Sequence, residues 1–335
     1  MKQSDLAEVL EVAIEDGDNM LIVGSPGIGK TDLVAQACSR LGVDLILTHP
    51  VTADETVYRG LPFAEPAAEY ARWLPYGDLH RLMKAKKKTV FFLDDLGQAK
   101  QEVQAAIMQL LLSGSINGHR IDRSLVSFIA CTNRPEDMAG VKMILEPVKS
   151  RFVIINLEVD VDDWCTWALR DGLPSELISF IRFRPELLHN FTPSNTIENS
   201  PNPRNVAICG KIQQGRYPRH NWLELFTGKC GKGWAIEYLG FLKTAGDLPS
   251  PTRVIREPDK VRIPEEPATC YALTAAVAAH ATPRNCARVV KFANRLSMEY
   301  AVRMMKDAAL RVPRITETKA FIGWSVKNQH LVGLS

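Results

Sequence analysis

Short runs of consecutive apolar residues alternate with amphipathic stretches through the first half of the chain. Residues 20–23, 45–47, 90–93, 125–131 and 152–159 read as strands. Runs that are apolar at every position suit strands covered on both faces, and the helical patterns between them suit crossovers, so this half predicts a parallel α/β sheet. After residue 30, Leu33, Val34 and Ala37 share one helical face, and Gly42 follows as a stop. From about residue 160 the strand signal fades, and 164–169, 205–212 and 287–305 carry helical patterns. Proline-containing stretches at 192–203 and 249–267 read as connections. Three segments are expected: an α/β core over 1–159, a helical segment over 160–246 and a helical extension over 247–335.

The chemistry is concentrated in the first segment. Gly24-Ser25-Pro26-Gly27-Ile28-Gly29-Lys30-Thr31 follows the first predicted strand and completes the pattern G-x-x-x-x-G-K-[ST]. Glycines in such a loop let successive backbone N–H groups turn toward phosphates, the lysine reaches the terminal phosphates, and the hydroxyl can hold Mg²⁺ as a helix begins. Residues 24–31, with Asp32 in the helix's first turn, are therefore the candidate nucleotide-binding set.

The strand at 90–93 ends in Asp94-Asp95. Carboxylates at the C-terminal end of a parallel strand face the same crevice as the loop. Asp94 is thus a candidate Mg²⁺ partner beside Thr31, and Asp95 a candidate to orient the attacking water. The strand at 125–131 leads to Thr132-Asn133-Arg134-Pro135, which puts an uncharged amide, Asn133, beside those acids.

The order of these parts resembles the AAA+ ATPases, and within them the MoxR-like branch: phosphate loop, paired acids, strand-ending Asn, Ser150-Arg151-Phe152, then Pro203-Arg204 opening a helix. The resemblance runs from about residue 6 to 212, and the remainder looks like the extension of phage and bacterial ATP-binding proteins of that branch. It implies a parallel αβα core with a helical lid and a helical C-terminal extension. It implies an ATPase using ATP and Mg²⁺ and assembling as a ring, a hexamer in the family. By the same similarity Arg151 is an arginine finger offered to a neighbouring subunit, and Arg204 is the lid's arginine sensor. The implied work is chaperone-like remodelling or activation of a protein client, in the family often together with a partner that carries a von Willebrand factor A domain. Most relatives carry Asp-Glu where this chain has Asp94-Asp95. A side chain one methylene shorter reaches less far toward water, so Asp95→Glu is expected to raise or preserve turnover.

Composition narrows the alternatives. The 335 residues are 46% hydrophobic and 24% charged, which argues against disorder, and the longest weakly polar stretch is far short of a membrane span. The N-terminus lacks the apolar core of a signal peptide, which points to the cytoplasm. Seven scattered cysteines without a C-x-x-C pair read as reduced packing residues. A net charge of +3 does not by itself indicate nucleic acid. Lys84, Lys86, Lys87 and Lys88, with Arg120 and Arg123, leave a nucleic-acid-linked motor as the alternative, and the Asp-Asp pair leaves a slowly hydrolysing ATP-loaded scaffold. Asn117-Gly118 marks a hairpin over 115–121. Residues 57–78, with Phe63, Tyr70, Trp73 and Tyr76, read either as a projecting element that grips a partner or as a small satellite core.

Overall fold

A computed structural model describes residues 1–64, 70–137, 140, 144–192 and 197–328. Parts of the 57–78 and 192–203 segments, and the last seven residues of the extension, lie outside the described residues. The chain divides into two compact units, Met1–Asp160 and Val161–Ser335, so the two helical segments expected at 160–246 and 247–335 share one unit.

In the first unit the strands in chain order are β1 (Met20–Val23), β2 (Asp44–Thr48), β3 (Leu61–Ala64), β4 (Ala71–Leu74), β5 (Thr89–Leu93), β6 (Ser115–Ile116), β7 (His119–Arg120), β8 (Val126–Thr132) and β9 (Val153–Asn156). Five of them form a parallel sheet in the order β2-β5-β8-β1-β9. Every residue of β5 and β8 is buried, as suits their largely apolar sequences, with Thr89, Ser127 and Thr132 buried among them. Successive side chains leave a strand on opposite faces, and the core follows that rule. Ile22, Val90, Phe92 and Ile129 pack with Leu6, Leu10, Ile14 and Val34 from helices Gln3–Asp16 and Lys30–Leu41. Leu21, Phe91 and Phe128 pack on the other face with Leu79, Val103, Ile107 and Leu110 from helices Gly77–Met83 and Gln101–Ser113. Helices on both faces give the αβα layering.

Two hairpins interrupt this alternation. β6 and β7 pair across Asn117 and Gly118, at φ 51 and φ 83, the left-handed pair that a two-residue type I′ turn needs. β3 and β4 form the second, antiparallel one within 57–78. Arg59 stacks over the Trp73 ring at 5.3 Å, whereas Leu61, Phe63 and Tyr70 are exposed. The Asn117 amide donates to the Arg59 carbonyl at 3.0 Å and ties one hairpin to the base of the other. The strand expected over 152–159 is shorter than its apolar run: after Leu157 bonds to Val23, Glu158 turns to the Met1 carbonyl.

The second unit is helical throughout its regular elements. Phe180, Phe226, Trp234 and Tyr238 form one aromatic core, and Val254, Leu273, Val289, Phe292, Met304 and Trp324 belong to another. The helix expected over 287–305 is two, Cys286–Ala293 and Met298–Arg311. Arg295 and Leu296 bond back three residues to Phe292 and Ala293, and the Arg295 guanidinium is held by the Pro258 carbonyl. Both helices bury their apolar faces in the same cluster, which is why the pattern ran on through the break. The 249–267 connection contains a short helix, Pro251–Arg256. All seven cysteines are free and buried.

Candidate nucleotide site

The loop after β1 is shaped by three glycines. The Gly24 amide donates to Thr132 at 3.2 Å, and a Cβ there would meet the Ile28 side chain at 2.6 Å and the Leu157 carbonyl at 3.0 Å. Gly27 and Gly29 take φ 76 and φ 94, conformations that cost L side chains energy. Gly29 caps helix Lys30–Leu41 with no side-chain hydrogen bond, so the first-turn N–H groups stay available to an anion. The Lys30 ammonium is buried at the centre and donates to the carbonyls of Gly24 and Ser25 at 2.7 and 2.9 Å and to Asn133 Oδ1 at 2.8 Å. Burial draws its pKa below the ordinary lysine value, against the opposing pull of Asp95, Asp94 and Asp137.

Parallel pairing of β5 with β8, and of β8 with β1, brings the ends of these strands to that loop. Thr31 Oγ1 donates to Asp94 Oδ2 at 3.1 Å, and His49 Nδ1 lies 3.8 Å from the same oxygen. The Cys131 thiol donates to Asp94 Oδ1 at 2.7 Å, and burial pushes its pKa well up. Asp95 is at φ 57, a left-handed conformation that Asp tolerates better than longer side chains. Its Oδ1 accepts from Gln98 at 3.2 Å and from Asn133 at 3.4 Å. Among the described residues, Asp94, Asp95 and Cys131 bring ligand atoms within 4.8 Å of one another. A thiol kept protonated is a poor ligand for a hard cation, whereas the Thr31 hydroxyl and the Asp94 carboxylate are the oxygen donors Mg²⁺ takes.

Ser25, Lys30, Thr31, Asp94, Asp95 and Asn133 are thus brought together, with Asp32 exposed on the first helical turn. Ser25 does not offer its side chain freely: its hydroxyl lies between Arg134 and Asp137. Arg151 is elsewhere. The pairing of Val153 with Met20 puts it beyond the start of β1, while the loop leaves the far end of that strand, roughly 13 Å away for four extended residues. Among the described residues its guanidinium bonds locally, to Pro147 and to Ser150 Oγ at 3.3 Å. Arg204 is exposed in the first turn of helix Pro203–Gln214, in the second unit. Sequence reasoning missed Arg134, Asp137, Gln98, His49 and the role of the Cys131 thiol. The signal for the first two was an Arg after the strand-ending Asn with an acid three residues on.

Residues 19–152 match the family model of the AAA domain, dynein-related subfamily. No curated protein matches the chain. Among solved structures, a point mutant of RuvB from Thermotoga maritima is similar at 15% identity and a TM-score of 0.36, over 97% of this chain and 86% of that one. NtrX from Brucella abortus is similar at 15% identity and a TM-score of 0.41, over 64% of this chain and 52% of that one. Residues 19–152, which run from the residue before β1 to the one before β9, carry an AAA domain.

Proposed function

We propose that this chain is a Mg²⁺-dependent ATPase that works as a ring and spends ATP on remodelling or activating a protein partner. The observation that carries the ATPase reading is the buried Lys30 ammonium, held at 2.8 Å by Asn133 inside a glycine loop that opens a helix. An ammonium fixed there meets the terminal phosphates as a point charge, and first-turn N–H groups complete the cradle. Thr31 and Asp94 would hold Mg²⁺, which neutralises phosphate charge when bound. Asp95 is left to orient the attacking water, with Gln98 and Asn133 aiming the carboxylate.

Arg151 cannot fold back to the loop of its own subunit from the opposite end of the sheet, which supports its assignment as a finger supplied in trans. The ring, the lid arginine Arg204 and the partner with a von Willebrand factor A domain enter from the resemblance to MoxR-like proteins. The lysine run gives a nucleic-acid reading little support: Lys87 pairs with Asp44 at 2.9 Å and Lys88 donates to the Glu15 carbonyl at 2.7 Å, at the sheet end away from the loop. In an ATPase assay Lys30→Ala should lose nucleotide binding, while Arg151→Ala should bind ATP and turn over about 10³-fold more slowly. Mixed rings of the two variants should regain part of the activity. Mixed rings that form and stay inactive would refute the trans finger; an inactive wild type that fails to bind ATP would refute the whole reading.

A further inference from the structure

We infer that Arg134 and Asp137 are positioning residues that hold the phosphate loop in its binding shape through the Ser25 hydroxyl. The inference rests on the reading of residues 24–31 as a nucleotide site. Ser25 occupies a variable position of the loop motif, where the pattern G-x-x-x-x-G-K-[ST] demands nothing of the side chain. Yet Ser25 and Asp137 are only 3% and 4% exposed, and both are fully engaged. Ser25 Oγ donates to Asp137 Oδ1 at 3.3 Å and accepts from Arg134 Nη2. Arg134 grips the same carboxylate with Nη2 at 2.8 Å and Nε at 3.1 Å, and its backbone N–H adds a bond to Oδ2 at 3.3 Å. The short turn Pro135–Asp137 brings the acid back onto Arg134. The fork-to-carboxylate geometry fixes direction as well as distance, which a lysine could not do.

The loop needs such a fixture. Gly27 and Gly29 have wide conformational freedom, and ordering them falls on the binding free energy unless the protein orders them beforehand. The end of β8 reaches the loop twice: Asn133 bonds Lys30 at 2.8 Å on its C-terminal side, and the next residue, Arg134, reaches Ser25 on its N-terminal side. The two glycines with positive φ lie between these pins. A hydroxyl that already donates to a carboxylate and accepts from a guanidinium has little left for a phosphate, so Ser25 acts on the loop and the backbone N–H groups meet the ligand.

The test is titration of the full chain with a fluorescent ATP analogue and Mg²⁺, together with steady-state ATPase kinetics. Ser25→Ala, which leaves the Arg134–Asp137 ion pair intact, and Asp137→Asn, which keeps its shape, should each weaken nucleotide affinity about tenfold. KM should rise by a similar factor while kcat moves far less. The double variant should be little worse than either single one, because both remove the same fixture. Arg134→Lys should resemble Asp137→Asn. Unchanged affinity in folded Ser25→Ala and Asp137→Asn, or losses that add in the double variant, would overturn the inference while leaving the ATPase reading intact. A wild type that binds no nucleotide, like Lys30→Ala, would overturn both.

Discussion

Among the described residues, two forked Arg–Asp pairs have buried carboxylates, one in each unit, and they do different work. In the helical unit Arg182 meets Asp307 with two bonds, one at 2.8 Å, and joins helix Ser175–Phe183 to helix Met298–Arg311. Both side chains are nearly inaccessible, at 9% and 5%, and the third group beside the fork is the buried Cys165 thiol of the same helical core, while Arg182 Nε is buried with no hydrogen-bond partner among the described residues. In the α/β unit the Arg134 side chain is 39% exposed, its Nε is used, and the pair carries the Ser25 hydroxyl with it. Desolvation offsets most of the attraction in a fully buried pair, so the Arg182–Asp307 contact is a matter of packing that apolar groups could replace. The Arg134–Asp137 contact specifies the shape of something outside itself. Chemistry alone does not distinguish the two; their third partner does.

The largest effect that would break this distinction concerns Asp307. Removing it as Asp307→Ala strands a buried guanidinium, and unfolding by denaturant should show a loss of about 3–5 kcal/mol, with the folded fraction binding nucleotide within about twofold of wild type. A loss under about 1 kcal/mol would show that water reaches Arg182. Replacing both partners sharpens the comparison. Arg182→Met with Asp307→Leu should recover most of the stability, because volume and burial are kept without charges. The matching replacement, Arg134→Met with Asp137→Leu, should fold yet leave nucleotide affinity impaired, because no apolar pair can hold the Ser25 hydroxyl. Recovery of affinity there would make the two pairs equivalent after all.

Asp95 is a third carboxylate held in place by other side chains, and it modifies an expectation raised by the sequence. Length alone favours Asp95→Glu. The left-handed backbone at φ 57 and the donors Gln98 and Asn133 are suited to the shorter acid. A longer side chain there pays up to about 1 kcal/mol in backbone strain and moves its oxygens past both donors. Turnover of Asp95→Glu should therefore fall about three- to tenfold with ATP affinity little changed. An increase would mean that reach matters more than aim.

What the sequence revealed and what it hid follow from how each feature is encoded. β5 and β8 were legible because strands buried on both faces are written as nearly continuous apolar runs, and Lys30, Thr31 and Asp94 because the loop motif and strand end fix their place. The hairpin at Asn117-Gly118 was legible because only a few residue pairs accept two left-handed conformations in succession. The break at 294–297 was hidden because two helices burying faces in one core keep a common period. Asp137 was hidden for a different reason: it lies in a three-residue turn, where no periodicity exists, and its partner Ser25 occupies a position the motif leaves open. The Cys131 thiol was read as packing, which its burial bears out, yet it also donates to Asp94. Side chains that orient other side chains leave little mark on the linear pattern.

The smallest expected effect is a pH dependence belonging to the Arg134–Asp137 pair. Burial alone would raise the Asp137 pKa, but the hydrogen bonds and charge of Arg134 outweigh it and hold the carboxyl below the ordinary aspartate value. A carboxyl with a folded-state pKa lower than its unfolded one stabilises the fold fully above the unfolded value, about 3.9, and that contribution is lost as pH falls through the folded value. Asp137→Asn has no such proton to take up. The stability gap between wild type and Asp137→Asn, followed by the denaturant midpoint, should therefore stay constant above about pH 5 and narrow below about pH 4. A gap that instead narrows as pH rises from about 4 to 7 would mean that burial dominates at this carboxylate and holds its folded-state pKa above the unfolded one. The fork on Arg134 would then be too weak to fix Ser25, and the contrast with Arg182 would fail where it was drawn.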